Sequence, residues 1–202
     1  MHTLHLVRHG DTSQSSEGVF CGDLDPPITD KGKWQAEKLS VLAAALKPSA
    51  IYVSPKLRAR MTAEPTVNAL NLVPRFDHGL REIGYGTWEG RQETEIKQTE
   101  PAAYAAWNGD PSVASPPGGE SAFAIAARAL PVLLAIRDAH PDETVMVVSH
   151  KATIRVITCA LLGLHLGRFR DRVSCPTASV TTFEFGDRGA MLTRIGDTSH
   201  LR

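Results

Sequence analysis

Cysteine is scarce in this chain, and the few that occur form no recognisable pattern. Cys21, Cys159 and Cys175 are widely spaced, odd in number and without a C-x-x-C pair. This spacing indicates reduced thiols rather than a disulfide framework, and it is typical of a reducing compartment.

An excess of charge of one sign and long apolar runs are also missing. The 22 basic and 22 acidic residues are interspersed and give a formal net charge of zero, so neither a nucleic acid nor a membrane surface is expected as a partner. No apolar run approaches the length of a membrane span, and the first residues lead directly into a strand pattern without room for a signal peptide. We therefore expect a cytoplasmic protein.

What the chain does contain is a regular alternation of strand and helix patterns. Apolar runs of strand length at 4–7, 51–54, 73–77 and 144–149 are separated by helical patterns, and a final strand pair follows at 178–185 and 190–195. This order predicts an α/β fold, a three-layer α/β/α sandwich with a mostly parallel central sheet and an antiparallel edge strand. We expect one domain over residues 1–202 with a helical lid insertion at about 85–120. The final strand pair could cap the sheet or join a second subunit, so a monomer and a homodimer both remain open.

Two local expectations follow from the helical patterns. Thr29 opens a helix that Pro48 ends, and the aromatic Trp34 on its apolar stripe is predicted to lie in the core. Ser54 and Pro55 read as an N-cap followed by proline at the first helical position, which places Arg58 in the first turn of the next helix.

Basic side chains stand at the ends of several predicted strands. Arg8 and His9 follow the first strand, Arg58 follows the second, and His150 follows the strand at 144–149. Ligands bind at the carboxyl ends of strands in open α/β sheets. If these strands are parallel neighbours, two guanidiniums and two imidazoles converge on a pocket that suits a phosphoryl group.

Phosphoryl transfer assigns a role to each of these residues. A neutral imidazole of His9 would attack phosphorus, while Arg8, Arg58 and His150 neutralise the equatorial oxygens. Guanidiniums nearby disfavour protonation of His9 and so keep its lone pair free. A carboxylic acid must protonate the leaving alkoxide and then activate water, for which Glu82 is the best candidate and Glu89 the rival. The chain has no H-E-x-x-H motif or other paired ligand spacing, so neither a metal nor another cofactor is expected.

These residues occur within motifs that resemble those of the histidine phosphatase superfamily, in its phosphoglycerate-mutase-like branch. Residues 6–12, Leu-Val-Arg-His-Gly-Asp-Thr, are similar to the signature of that branch, with aspartate in place of the more usual glutamate. Further similar segments follow in the family's order and cover most of the chain, at 25–32, 54–60, 80–82, 88–90, 117–121 and 148–150.

The resemblance implies a phosphorylated His9, a phosphate pocket of Arg8, Arg58 and His150, and Glu82 as the proton donor. The substrate-binding residues that we predict are Arg8, Gly10, Ser15, Cys21, Gly22, Arg58, Glu82, Tyr85, His150 and Lys151. Two positions depart from the family's pattern, since Ser15 replaces an asparagine and Val19 replaces a residue that is basic in many relatives.

The branch contains both phosphatases and mutases, and the charge and aromatic content of the predicted lid segment distinguish between the two activities. Between residues 85 and 120 six carboxylates face only two cations, and an acidic lid would repel the second phosphate of a mutase cofactor. The lid aromatics Tyr85, Trp88, Tyr104 and Trp107 favour an apolar or ring-shaped substrate body. We predict a phosphatase of small phosphomonoesters. The alternatives are a 2,3-bisphosphoglycerate-dependent phosphoglycerate mutase and a catalytically silent phosphoester-binding module.

Overall fold

The computed structural model describes residues 2–15 and 18–202 and contains a six-stranded sheet. The strands are β1 (His2–Arg8), β2 (Ala50–Val53), β3 (Pro74–Phe76), β4 (Thr144–Ser149), β5 (Val180–Gly186) and β6 (Gly189–Asp197), in the spatial order β3-β2-β4-β1-β5-β6. The first four are parallel, whereas β5 and β6 form an antiparallel hairpin at one edge. The predicted fold class is therefore confirmed. The loop after β1 is the segment 11–28, whose composition of Asp, Ser, Gly and Pro is typical of a loop; its positions 16 and 17 lie outside the described residues.

Helices cover both faces of the sheet. They are α1 (Asp30–Leu46), α2 (Leu57–Leu70), α3 (Glu93–Thr99), α4 (Pro101–Gly109), α5 (Ala122–Ala139), α6 (Lys151–Leu161) and the single turn α7 (Phe169–Arg172). The helices α3 and α4 occur in the segment where a helical lid was predicted. None of the helices within the described ranges is both long and apolar enough to cross a membrane.

Alternation along the central strands divides the core into two layers. Leu4 and Leu6 of β1 pack with α5 and α6 on one face. Val7, which points the other way, packs with α1 and α2 on the opposite face. Because successive side chains of a strand point to opposite faces, a strand buried on both faces must be apolar throughout. This requirement explains the continuous apolar run of β4.

Two local expectations were wrong. Trp34 is 45% exposed, because it lies outside the buried face of α1. That face consists of Gly32, Gln35, Ala36, Leu39 and Ala43. Ser54 does not cap α2, which begins only at Leu57. The Ser54 hydroxyl is instead bonded to His150, and Asp25 accepts the first free amide of α2, that of Leu57, at 2.7 Å.

One arginine of α5 fixes the segment that carries Glu82. The Arg128 guanidinium donates to the carbonyl oxygens of Gly79, Arg81 and Glu82 at 2.7–3.1 Å and forms an ion pair with Glu120. Its side chain is only 13% exposed. Since these carbonyls belong to an irregular segment, Arg128 supplies the donors that a helix or strand would otherwise provide.

We expect Arg128→Gln to lower the free energy of unfolding by about 2 kcal/mol or more, because it leaves buried carbonyls and Glu120 without their donor. Arg137→Gln on the same helix is the matched control, since Arg137 is 41% exposed and pairs with its neighbour Asp138; its effect should stay within about 0.5 kcal/mol. Urea unfolding of both variants measures the difference, and equal effects would contradict the role given to Arg128.

Candidate active site

The parallel register brings the predicted residues to one edge of the sheet. Arg8 of β1 stands opposite Ser149 of β4, and Val53 of β2 stands opposite Val148. His9, Ser54 and His150, which follow these strands, therefore leave the sheet side by side. The rings of His9 and His150 are 5.2 Å apart between centroids, so the predicted convergence is found.

His9 is held as a neutral ring with one free nitrogen. Its Nδ1 lies 2.8 Å from the carbonyl oxygen of Gly10, and because a carbonyl can only accept, Nδ1 carries the hydrogen. Burial, reinforced by the charges of Arg8 and Arg58, lowers the pKa of His9 well below 6.5. The lone pair therefore resides on Nε2, which is the state that a nucleophilic imidazole requires.

Arg8 lies beside this ring and has a donor to spare. Its Nη1 donates to the carbonyl oxygen of Cys175 at 2.8 Å, whereas its buried Nε has no partner within the described part of the chain. A buried donor without an acceptor is costly unless a ligand supplies one. The Nε–H of Arg8 is therefore available to an anion in the site.

Arg58 uses all of its nitrogens within the protein. Its Nε donates to His150, its Nη1 to the carbonyl oxygen of Leu24 and to Asp25, and its Nη2 to the carbonyl oxygen of Gly22. The guanidinium thus binds the loop after β1 while its charge remains beside His9. The first free amide of α2, that of Leu57, donates to Asp25 and not to an anion in the site.

His150 is completely buried, and both of its ring nitrogens are bonded. Nδ1 accepts from Arg58 Nε at 3.2 Å, so Nε2 carries the hydrogen and donates to Ser54 Oγ at 2.7 Å. Burial and the charge of Arg58 lower its pKa well below 6.5. In this arrangement His150 orients Arg58 and packs against His9, and it has no free donor to add to a phosphate.

The two candidate carboxylates have different surroundings. Glu82 is 5% exposed and faces the cavity. Its Oε1 accepts from the amides of Ile83, Ala152 and Thr153, whereas Oε2 accepts only from the amide of Ala152 at 3.2 Å. Oε2 is the less occupied oxygen and the one better able to carry a proton.

Glu89 is occupied by backbone amides. It accepts from the amides of Gly22, Asp23, Leu24 and Tyr85 at 2.8–3.3 Å. It therefore holds the loop after β1 in place and does not face the cavity, which leaves Glu82 as the candidate for proton transfer.

A cavity of about 360 Å³ opens at this edge of the sheet. Several predicted residues line it, namely Arg8, His9, Ser15, Cys21, Arg58, Glu82, Tyr85 and Lys151. Burial raises the pKa of the Cys21 thiol and that of the Tyr85 hydroxyl, so both groups stay protonated. The Ser15 hydroxyl is bonded to Thr12, both to its amide and to its hydroxyl.

The predicted residues Gly10, Gly22 and His150 do not line the cavity. The Gly10 amide donates to Thr62 Oγ1 at 2.8 Å, and the Gly22 amide donates to Glu89. Both glycines are required by close packing of backbone: a Cβ on Gly10 would lie 2.8 Å from the Gly32 carbonyl oxygen, and one on Gly22 would lie 1.7 Å from that of Ile83. Gly10 thus permits the close approach of another segment of the protein, that of Gly32.

Two cations in the cavity were missed by the sequence analysis. Arg155 follows Lys151 by one turn of α6, and this i, i+4 spacing was a signal that could have revealed it. Arg170 alternates with Arg168 and Arg172 in the sequence, a pattern that is typical of a solvated face. It instead lies 4.0 Å from the ring centroid of Trp107 and lines the cavity.

The lid acids do not make the cavity acidic. Of the six carboxylates counted in the segment, only Glu93 lines it, and Glu93 is bonded to Lys97 and to the Tyr104 hydroxyl. Five cations and two carboxylates face the cavity in total. The charge argument against a mutase was therefore wrong, because it counted residues that point elsewhere.

The lid aromatics form a cluster of their own. Trp88 and Trp107 pack with Phe20 and Ile96, and Tyr85 and Tyr104 lie against them. Tyr85 and Trp107 also face the cavity, whereas Trp88 is fully buried. Two of the four predicted aromatic residues are thus available to a substrate. The other two, Trp88 and Tyr104, belong to the cluster that packs the segment 85–120 against Phe20.

No group of three or more His, Cys, Asp or Glu side chains within residues 2–15 and 18–202 could hold a metal ion. The side chains at the site supply a neutral imidazole, a carboxyl group and fixed cations.

Comparison with known proteins identifies what this arrangement is similar to. Residues 4–198 match the family model described as the histidine phosphatase superfamily, branch 1. Phosphoserine phosphatase 1 of Hydrogenobacter thermophilus is 32% identical over 201 residues, which cover 100% of this chain and 95% of that protein. Glucosyl-3-phosphoglycerate phosphatase of Mycobacterium tuberculosis is 32% identical, over 80% of this chain and 75% of that protein.

Solved structures agree with these relatives. Bacillus stearothermophilus YhfR has a TM-score of 0.92 at 33% identity, with complete coverage of both chains. Among the relatives there is also a probable phosphoglycerate mutase, GpmB of Salmonella paratyphi C, 28% identical over 100% of this chain and 95% of that protein.

The geometry of His9 leads to a prediction for nuclear magnetic resonance. At pH 6 the ¹⁵N signals of His9 should be those of a neutral ring with hydrogen on Nδ1, because its pKa lies well below 6.5. His9→Gln would identify the signals by their loss. A doubly protonated His9 at pH 6 would contradict this state of the site.

Proposed function

Because the chain belongs to the histidine phosphatase superfamily, branch 1, we propose that His9 is the residue that receives the phosphoryl group. The protein is a phosphatase of small phosphate esters, as phosphoserine phosphatase 1 and glucosyl-3-phosphoglycerate phosphatase are. The observation that carries the proposal is the neutral His9 with a free Nε2 between Arg8 and Arg58.

In the proposed first step the phosphoryl group of a monoester lies against Arg8 Nε, and His9 Nε2 attacks phosphorus in line. The P–N bond forms as the bond to the ester oxygen breaks. The charges of Arg8 and Arg58 stabilise the equatorial oxygens as negative charge spreads over them. Both cations are fixed before the substrate arrives, so little reorganisation accompanies the reaction.

Glu82 serves the two proton transfers. Its Oε2 carries a proton to the leaving alkoxide, and the resulting carboxylate accepts a proton from the water that attacks phosphohistidine. The amides of Ile83, Ala152 and Thr153 orient the carboxyl group through Oε1. As water attacks, the P–N bond breaks, phosphate leaves the site and His9 returns to its neutral state.

His9→Ala should abolish hydrolysis of a panel of phosphomonoesters, and the wild-type activity should persist in the presence of a metal chelator. A parallel assay of 3-phosphoglycerate with 2,3-bisphosphoglycerate measures mutase turnover. Mutase turnover much faster than hydrolysis would contradict the proposed reaction, as would full hydrolytic activity in His9→Ala.

The role of Glu82 is tested by the leaving group. Glu82→Gln should lower kcat/KM for an alkyl phosphate by roughly 10²- to 10⁴-fold, but should affect p-nitrophenyl phosphate far less, because p-nitrophenolate leaves without a proton. Glu89→Gln is the matched control. It acts through the loop at residues 22–24, so it should affect both esters alike. A loss in Glu82→Gln that does not depend on the leaving group would exclude general acid catalysis by this residue.

A further inference from the structure

The cavity contains more positive charge than one phosphoryl group requires. Arg8 and Arg58 flank His9, and three further cations, Lys151, Arg155 and Arg170, line the same cavity. Of the two carboxylates present, Glu93 already pairs with Lys97. The unbalanced charge therefore lies beyond the residues assigned to phosphoryl transfer.

Lys151 and Arg155 have no partner within the described residues. Neither side chain forms a hydrogen bond or an ion pair there, and the side-chain Nε of Arg155 is buried without an acceptor. The arginines nearby behave differently: Arg81 and Arg128 pair with Glu120, and Arg91 pairs with Glu95 and Glu100. Lys151 and Arg155 thus differ from these nearby arginines in facing the cavity without an anionic partner.

Arg170 is the least available of the three additional cations. Its guanidinium lies over the Trp107 ring and donates to the carbonyl oxygens of Trp107 and Asn108. Lys151 and Arg155 are the charged residues of α6, whose other side chains are mostly buried in the core. They project from the same helix face, roughly 5–6 Å apart, which is the spacing of one turn.

The mutual repulsion of these cations indicates an anionic ligand. Burial together with the charges of Arg8 and Arg155 lowers the pKa of Lys151, and Arg155 also contributes to lowering the pKa of Arg8. The three charges are close enough to interact, and neither the Lys151 nor the Arg155 side chain forms an ion pair within the described residues. The charge of Glu82 opposes the effect on Lys151 only in part, because the pKa of Lys151 remains lowered. A second anionic group on the substrate would relieve this repulsion.

We propose that Lys151 and Arg155 bind a carboxylate of the substrate, so that the preferred esters are small phosphorylated hydroxy or amino acids. This inference rests on the proposed phosphatase function and deepens it. The phosphoryl group occupies the site at His9, and the carboxylate lies against Lys151 and Arg155 of α6 in the same cavity. An Arg guanidinium suits this task because its planar donors match the two oxygens of a carboxylate.

The test compares two esters that differ in the carboxylate alone. 3-Phosphoglycerate carries a carboxylate where glycerol 3-phosphate carries a hydroxymethyl group. The wild-type protein should hydrolyse 3-phosphoglycerate with a kcat/KM at least about tenfold higher, given the strength of a charge-assisted hydrogen bond. Arg155→Gln should lower kcat/KM for 3-phosphoglycerate by roughly 10- to 100-fold, mainly through KM, and change glycerol 3-phosphate by less than about threefold.

Lys151→Gln should also lower kcat/KM for 3-phosphoglycerate, and Arg155→Lys should recover part of the preference because it restores the charge. Arg188→Gln, in the turn between β5 and β6, is the matched control and should leave both esters unchanged. Equal losses for both esters in Arg155→Gln, or a wild-type protein that does not distinguish them, would overturn the proposal.

Failure of the phosphatase function itself has a separate signature. In that case neither ester, nor p-nitrophenyl phosphate, would be hydrolysed by the wild-type protein. The carboxylate site is then judged by calorimetry, with 3-phosphoglycerate and glycerol 3-phosphate as the two ligands. Tighter binding of 3-phosphoglycerate that Arg155→Gln abolishes would support the site, and equal affinities would overturn it.

Discussion

The site depends on the burial of a neutral imidazole between fixed guanidiniums. His9 is 5% exposed, and its ring is bonded through Nδ1 to the carbonyl oxygen of the next residue. Desolvation and the adjacent charges of Arg8 and Arg58 both disfavour protonation. The cations that would stabilise a transferred phosphoryl group therefore also keep the nucleophile unprotonated.

Holding these cations in place requires the loop after β1, and two oppositely charged side chains bind it. Arg58 donates to the carbonyl oxygens of Gly22 and Leu24, whereas Glu89 accepts from the amides of Gly22, Asp23 and Leu24. The loop backbone is thus satisfied on both sides without regular secondary structure. His150 and Ser54 complete the arrangement from the opposite side by fixing Nε of Arg58.

The residues at the strand ends could be predicted from sequence because the rules that place them are local. Each strand can be recognised as an apolar run, and the polar residues that follow it mark its carboxyl end. Because parallel strands bring these ends to one edge of the sheet, Arg8, His9, Arg58 and His150 could be predicted to lie together. Their hydrogen-bond partners could not be found in this way. Whether His150 donates to a ligand or to Ser54 depends on a contact across 96 positions of sequence.

Other features could not be predicted from the sequence, for a different physical reason in each case. The glycines at 10 and 22 are recognisable in the sequence, but the backbones that approach them belong to Gly32 and Ile83, which only the fold brings close. A count of charges in the lid does not reveal which of them are paired, and most are. Arg170 belongs to a single helical turn that is too short to show a periodicity, and although Arg168 and Arg172 beside it are exposed, Arg170 faces the cavity.

The most direct test of the central claim is to identify the atom that receives phosphate. The protein is mixed with an excess of a ³²P-labelled phosphomonoester, quenched in alkali within the first turnover and digested, and the labelled peptide is sequenced by mass spectrometry. A label that is stable to alkali, labile to acid and located on His9 is the expected result. Hydrolysis without a covalent label, or a label on any residue other than His9, would contradict a nucleophilic role for this histidine.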